Sequence, residues 1–436
     1  MLDLTRFHSK VATAKPMLAM GKVVDVVGLT IEATGPTMRI GDLCYVKPPD
    51  RVSLVPVEVM GFRQGRILLM PLGGMDGIAP DSLLIPTHQP QTVRVGPAVL
   101  GRVLNSMGHP LDGRPLGRCE ETAPLQASPP RPMDRTSIRE PIATGIRAID
   151  ALTTCGKGQR MGIMAGSGVG KSKLLGMMAR NTNADINVIA LIGERGREVR
   201  DFVEKDLGEE GLARSVVVVA TSDEPALMRI NGAYLATAIA EYFRDQGNDV
   251  MLMFDSVTRF AMAQREVGLA VGEPPTTRGY PPSVYALLPK LLERPGAQAH
   301  GSITGMYTVL VEQDDMNDPI GDAVRSILDG HLVLSRGLAS RGHYPAIDVL
   351  ESNSRIMIDV VSPEHRKLAQ QVREMLAIYR DAEDLINIGA YVEGSNKEID
   401  RARHLRAAIN ALLCQDLAEN NAFDGLVPAM QRALGG

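Results

Sequence analysis

The run Ala165-Gly166-Ser167-Gly168-Val169-Gly170-Lys171-Ser172 closes the apolar stretch MGIMA (161–165) and leads into the helix-compatible KLLGMMAR (173–180). Glycines let successive backbone N–H groups curl around phosphate oxygens, and a helix that starts there adds its positive dipole end. Lys171 supplies a charge for the β- and γ-phosphates, and the Ser172 hydroxyl is a ligand for Mg²⁺. The strict pattern G-x-x-x-x-G-K-[ST] begins with glycine; Ala165 holds that place, and so small a residue still fits the turn. Strand, loop and helix in this order predict a P-loop on a largely parallel α/β sheet.

In an open parallel sheet the ligand lies outside the carboxyl ends of the strands, so the residues ending the other apolar runs are read next. Those runs are QRMGIMAG, NVIALIG, SVVVVA, DVMLMFD, MYTVLVE and HLVLSR, alternating with longer amphipathic segments. DVMLMFD ends in Asp255, where a carboxylate holds hydrated Mg²⁺. NVIALIG is followed by Glu194, Arg195 and Glu198 in GERGREVRDF. Glu194 is placed to polarise an attacking water, Arg195 to meet the γ-phosphate and Glu198 to bind a Mg²⁺ water. TVLVE ends in Glu312, which we read as structural.

Around this core the text changes character. From Gly21 to about Pro86, short β-rich runs broken by Gly, Pro and Asp read as a small β-barrel or sandwich. GRVLNSMGHPLDGRP (101–115) reads as a crossing segment, and the prolines of 124–141 make an extended connector. Beyond His365, Leu368, Val372, Met375, Leu376 and Tyr379 share one helix face, as do Ile399, Ala402, Leu405, Ile409 and Leu412, predicting a C-terminal helical domain over 366–436.

Composition removes other classes. A chain of 436 residues is longer than one core usually holds. Lys plus Arg number 47 against 51 Asp plus Glu, and aromatics are 4% with no Trp, so neither a basic field nor a stacking platform for nucleic acid exists. Cys44, Cys119, Cys155 and Cys414 form no C-x-x-C pair, which speaks against a zinc site or disulfide framework. With Asp3, Arg6 and Lys10 at the start and no long apolar run, the chain reads as cytoplasmic.

Six segments in order carry a family resemblance: AGSGVGKS (165–172), GERGREV (193–199), DSVTRFAMAQRE (255–266), GEPPTTRGYPPSV (272–284), DGHLVLSR (329–336), and HYPAID (343–348) with SNSR (352–355). Over nearly the whole chain the sequence resembles the hexameric protein-export ATPases of bacterial flagella and type III secretion, relatives of the catalytic subunit of rotary ATP synthases. The resemblance implies a RecA-like P-loop NTPase core over 91–365, an N-terminal β-barrel over 21–90, and Mg²⁺-dependent ATP hydrolysis. It implies Lys171 and Ser172 as phosphate and Mg²⁺ residues, Glu194 as general base and Asp255 as the Walker-B acid. It adds Arg195 and Arg259 as γ-phosphate contacts, Tyr344 as a ring stacking on adenine, and Arg355 as an arginine finger reaching into the neighbouring subunit's site. The implied partners are five further copies in a homohexamer, a regulatory stator-like protein at residues 1–20, a central stalk protein, export chaperones and substrates, and a membrane export gate. That places the protein at the inner face of the cell membrane. In the terminal segment Leu2, Leu4, Phe7 and Val11 line one helix face.

The ATP synthase relatives close the far side of the adenine pocket with a C-terminal aromatic. INALLCQDLAEN offers Leu412 or Leu413 near that place, which predicts looser adenine selectivity. GYPPSV and GERGREV resemble the export branch more than a rotary synthase subunit. An RNA translocase is disfavoured, because the barrel segment holds only Tyr45 and Phe62 as aromatics and no basic cluster. The set Lys171, Glu194 and Asp255 opposes a noncatalytic subunit. SDEPALMR and DLINIGAY favour the flagellar over the virulence-type branch.

Overall fold

The structure is a computed structural model that describes residues 19–49, 53–311 and 318–435. The helix face of Leu2, Leu4, Phe7 and Val11, and the strand-end Glu312, lie outside the described residues. Two compact units meet in sequence between Gln91 and Thr92.

The first unit is a closed six-stranded barrel: β1 (Gly21–Val27), β2 (Thr30–Thr34), β3 (Asp42–Lys47), β4 (Val55–Arg63), β5 (Arg66–Pro71) and β6 (Leu83–Pro90). Around the barrel the order is β1-β2-β5-β4-β3-β6. Alternate residues point inward, so Val23, Ile31, Ala33, Cys44, Val46, Val57, Val59, Leu69 and Leu84 fill its interior. Gln64 and Gly65 join β4 to β5 with φ of 50° and 77°, the two left-handed residues a tight hairpin requires.

The second unit is built on a nine-stranded sheet. Its strands are β7 (Arg102–Asn105), β8 (Arg160–Ala165), β9 (Ile186–Glu194), β10 (Ser215–Thr221), β11 (Asp249–Asp255), β12 (Gly296–Gln298), β13 (Gly301–Leu310), β14 (Gly330–Leu334) and β15 (Asn353–Ser354). The order is β15-β14-β8-β13-β11-β9-β10-β7, with β12 antiparallel against β13 and β15 antiparallel against β14; the rest run parallel. All six apolar runs of the sequence are strands; five are buried on both faces, as covered parallel strands must be, and β14 next to the sheet edge alternates between buried and half-buried residues. The segment expected as a crossing carries β7, four residues long, which joins the sheet edge beside β10.

Helix α1 (Lys171–Asn181) starts at the P-loop, α2 (Ala226–Asp245) packs on β9, β10 and β11, and α3 (Val257–Ala270) follows β11. The chain ends in α4 (Pro363–Asn387), α5 (Lys397–Leu413) and α6 (Leu426–Ala433), with Ser362 and Asn396 accepting N–H bonds at the starts of α4 and α5. Val372, Met375, Tyr379, Leu405, Ile409 and Leu412 are buried, and they share one continuous core with Ile149 and Leu152 near the sheet.

Candidate nucleotide site

The sheet order sets the site. β13 lies between the P-loop strand β8 and β11, and β9 lies on the other side of β11, so the carboxyl ends of three strands converge on Lys171. The Lys171 Nζ donates to Asp255 Oδ1 at 2.6 Å and to Glu194 Oε1 at 3.2 Å. Thr308 on β13, fully buried, donates its hydroxyl to the same Asp255 oxygen at 2.7 Å. Burial pushes the Lys171 ammonium down, but the charges of Asp255 and Glu194 outweigh it and hold the pKa above the ordinary lysine value. The lysine is thus held as a cation between the two carboxylates.

The loop before it has the conformation that only glycine adopts readily: φ is 78° at Gly168 and 92° at Gly170, the residue that caps α1. A Cβ built on Gly170 would lie 3.6 Å from Tyr344 Cε1, so the tyrosine ring rests against the loop. A cleft of about 390 Å³ opens there, and Gly168, Val169, Leu174, Tyr344 and Leu417 are among the residues that line it. Leu412 and Leu413, the residues read from sequence for the far wall, are buried in α5 instead. The helix ends at Leu413, and the extended chain beyond it brings Leu417 round. Gln415 fixes that chain: its N–H donates to Tyr344 O at 2.9 Å, its amide to Gly145 O at 2.8 Å, and its Oε1 accepts from Arg147 N at 2.9 Å.

Arg259 lies over Gly193, where a Cβ would come within 2.8 Å of the arginine Cβ. Its Nε is buried with no hydrogen-bond partner among the described residues. An orphaned cationic donor beside Glu194, a glycine loop and a fixed lysine fit a triphosphate. The hard oxygens of Ser172 and Asp255 suit Mg²⁺, which takes few protein ligands and completes its shell with phosphate and water.

The other sequence-read residues stand apart from this cluster. Arg195 precedes the helix Gly196–Asp201 and pairs with Glu198 at 3.3 Å; the two side chains are 81% and 51% exposed. Neither hydrogen-bonds to Lys171 or Asp255. Arg355 is exposed and follows β15, at the amino end of β14. β8 runs parallel to β14, with Gly162 opposite His331 and Ala165 opposite Leu334. At roughly 3.3 Å per residue, the length of β8 holds Arg355 about 17 Å from its own P-loop. Sequence reading missed Thr308, Gln415 and Leu417; the first had a signal, as a hydroxyl near the end of an apolar run next to the P-loop strand.

The cleft yields a prediction. Stacking on an aromatic ring is worth about 1–3 kcal/mol per base, so Tyr344→Ala should raise the KM for ATP roughly ten- to hundredfold with kcat little changed. Tyr344→Phe should retain it. The Gln415 amide is spent on backbone and reads no base edge, so GTP should be used within about a hundredfold of ATP in kcat/KM. Steady-state kinetics with both nucleotides checks each point; a large fall in kcat for Tyr344→Ala would show that the ring does more than bind the base.

Known proteins match the chain along most of its length. The nucleotide-binding domain of the ATP synthase alpha/beta family matches residues 145–354, and the T3SS EscN ATPase C-terminal domain matches 361–432. The flagellum-specific ATP synthase of Bacillus subtilis (strain 168) is 54% identical over 416 residues, 95% of each chain. The type 3 secretion system ATPase of Xanthomonas euvesicatoria is 50% identical over 420 residues, covering 96% of this chain and 95% of that one. Among solved structures, the assembled ATPase EscN from the enteropathogenic E. coli type III secretion system superposes with a TM-score of 0.90 at 45% identity, covering 95% of this chain and 100% of that one. EscN in complex with its central stalk EscO gives 0.88 at 44% identity, with the same coverage. The chain belongs to the family of flagellum-specific ATP synthases and type 3 secretion system ATPases.

Proposed function

We propose that this chain hydrolyses ATP as the subunit of a homohexameric ring that energises type III protein export, in the flagellar system, by preparing, releasing and unfolding substrates at a membrane export gate. The observation that carries the reading is Lys171 held between Glu194 and Asp255, directly after the Gly168–Gly170 loop that lines a cleft of about 390 Å³ with Tyr344. On phosphate binding Lys171 leaves the carboxylates for the β- and γ-phosphates. Glu194 is then free to orient water and take its proton. Arg259, its Nε unpaired, meets charge developing on the γ-phosphoryl group, and Arg355 of the neighbouring subunit meets it from the other side. Mg²⁺, held by Ser172 and Asp255, supplies charge neutralisation on the phosphates when bound. Arg195 and Glu198 keep their proposed roles at the γ-phosphate and the metal's water shell only if nucleotide draws them from their surface pair.

The domain roles follow the same reading: a barrel over 21–90, the ATPase core over 91–365, and helices over 366–436, with a central stalk protein as partner; EscN has been solved in complex with its central stalk EscO. A stator-like regulator at residues 1–20, chaperones with their cargo, and attachment at the inner face of the membrane complete it. No helix among the described residues is long and apolar enough to cross a membrane.

Deleting the gene should leave cells without filaments and non-motile, and the wild-type gene should restore them while one carrying Glu194→Gln should not. Filaments that persist while secretion of virulence proteins stops would move the protein to the other branch, which the EscN likeness supports.

A further inference from the structure

The proposed finger, Arg355, directly follows a short strand, and what fixes that strand is a buried polar cluster with no part in the nucleotide site. Gln159, fully buried, immediately precedes β8. Its Nε2 donates to Ser354 Oγ at 3.0 Å and to Asp329 O at 3.4 Å, and its Oε1 accepts from Gly156 N at 2.8 Å. Ser354 Oγ donates onward to Thr154 O at 2.8 Å. Asp329 O accepts the Arg355 N–H at 3.0 Å, while the Asp329 carboxylate takes both arms of Arg160 at 3.0 Å each.

β15 is only two residues long and pairs with β14 alone, so two ladder positions hold it. Such a strand has little intrinsic stability. A buried glutamine or serine left unpaired costs more than the bond itself, so this cluster admits one arrangement and fixes Arg355 at its backbone.

We infer that Gln159, Ser354 and Asp329 are positioning residues for the arginine finger, setting where Arg355 meets the neighbouring subunit's phosphate. Gln159 directly precedes β8, which ends in the P-loop. One strand therefore joins the pocket each subunit keeps to the finger it lends.

The inference rests on Arg355 being the finger, so its test is built to fail separately. Ser354→Ala and Gln159→Met each remove one link of the cluster while keeping near-native volume. Misplacement of a catalytic group by about 1 Å costs up to 10²-fold. Each variant should lower kcat about ten- to hundredfold with ATP affinity close to wild type, and should also lower the melting temperature, because a buried partner is left unpaired. In an Arg355→Ala background neither substitution should lower the residual turnover further, because they act through the missing group. If either still costs its full factor there, the cluster works on something else and the inference falls. If Arg355→Ala itself costs nothing, the finger reading has failed instead. Mixing gives a second measurement: with Lys171→Ala subunits in large excess, nearly every Ser354→Ala pocket has a Lys171→Ala neighbour that lends a well-placed finger, so the mixture should hydrolyse as fast as wild type diluted to the same ratio. Recovery in the corresponding Arg355→Ala mixture but not in this one would place the Ser354 defect inside its own pocket and overturn the proposal.

Discussion

Glu194→Gln should bind ATP no more weakly than wild type and yet lose about 10²- to 10⁴-fold in turnover, the usual worth of a positioned general base. The geometry gives the sign of the binding effect. In the nucleotide-free site Lys171 is shared by Glu194 and Asp255, so removing one negative charge releases the lysine toward phosphate and lessens repulsion of an anionic ligand. Lys171→Ala should do the reverse: it deletes a charged contact worth about 1.5–3 kcal/mol, so nucleotide binding should weaken ten- to hundredfold. It also leaves two buried carboxylates without their cation. Equilibrium binding of a fluorescent ATP analogue, together with phosphate release, separates the two. Near wild-type turnover by Glu194→Gln would remove it as the base, whatever its affinity.

The parts of this site visible in sequence are those built from contiguous residues. The P-loop is one, because its glycines, lysine and serine must follow one another for the backbone to turn. The strand-end acids Glu194 and Asp255 are visible for a related reason: burial on both faces makes their strands continuous apolar runs, and the first charge after each run marks its carboxyl end. Thr308 was missed because a threonine inside an apolar run looks like a strand former, and only the sheet order puts β13 between β8 and β11. The far wall of the cleft was missed by a few residues. α5 keeps its apolar period to its end, so Leu412 and Leu413 turn into the core, and Leu417 reaches the cleft through chain that has no periodicity to read. β7 and β15 are too short to show alternation, yet β15 leads directly into Arg355.

Arg355→Ala should abolish nearly all hydrolysis, by about 10³ to 10⁵, while ATP binding and the fold survive. The fold argues for action in trans. Within one subunit Arg355 lies at the amino end of β14, and the P-loop lies past the carboxyl end of the parallel neighbour β8, so the side chain has a strand's length to cross and a sheet edge in the way. Arg355→Ala subunits keep an intact Lys171 and Glu194, whereas Lys171→Ala subunits keep an intact finger. In rings formed from both, some interfaces pair a sound pocket with a sound finger, and activity should return although each parent alone is nearly dead. Mass measurement of the rings establishes that mixing has occurred. Mixed rings that stay inactive leave two readings: a finger used within its own chain, or hydrolysis that requires every interface. A series of wild-type subunits diluted with Lys171→Ala distinguishes them. Activity falling in proportion to the wild-type fraction means that sites work independently, and Arg355 would then have to act in its own subunit. A far steeper fall means that one dead pocket silences the ring, and the finger could remain in trans.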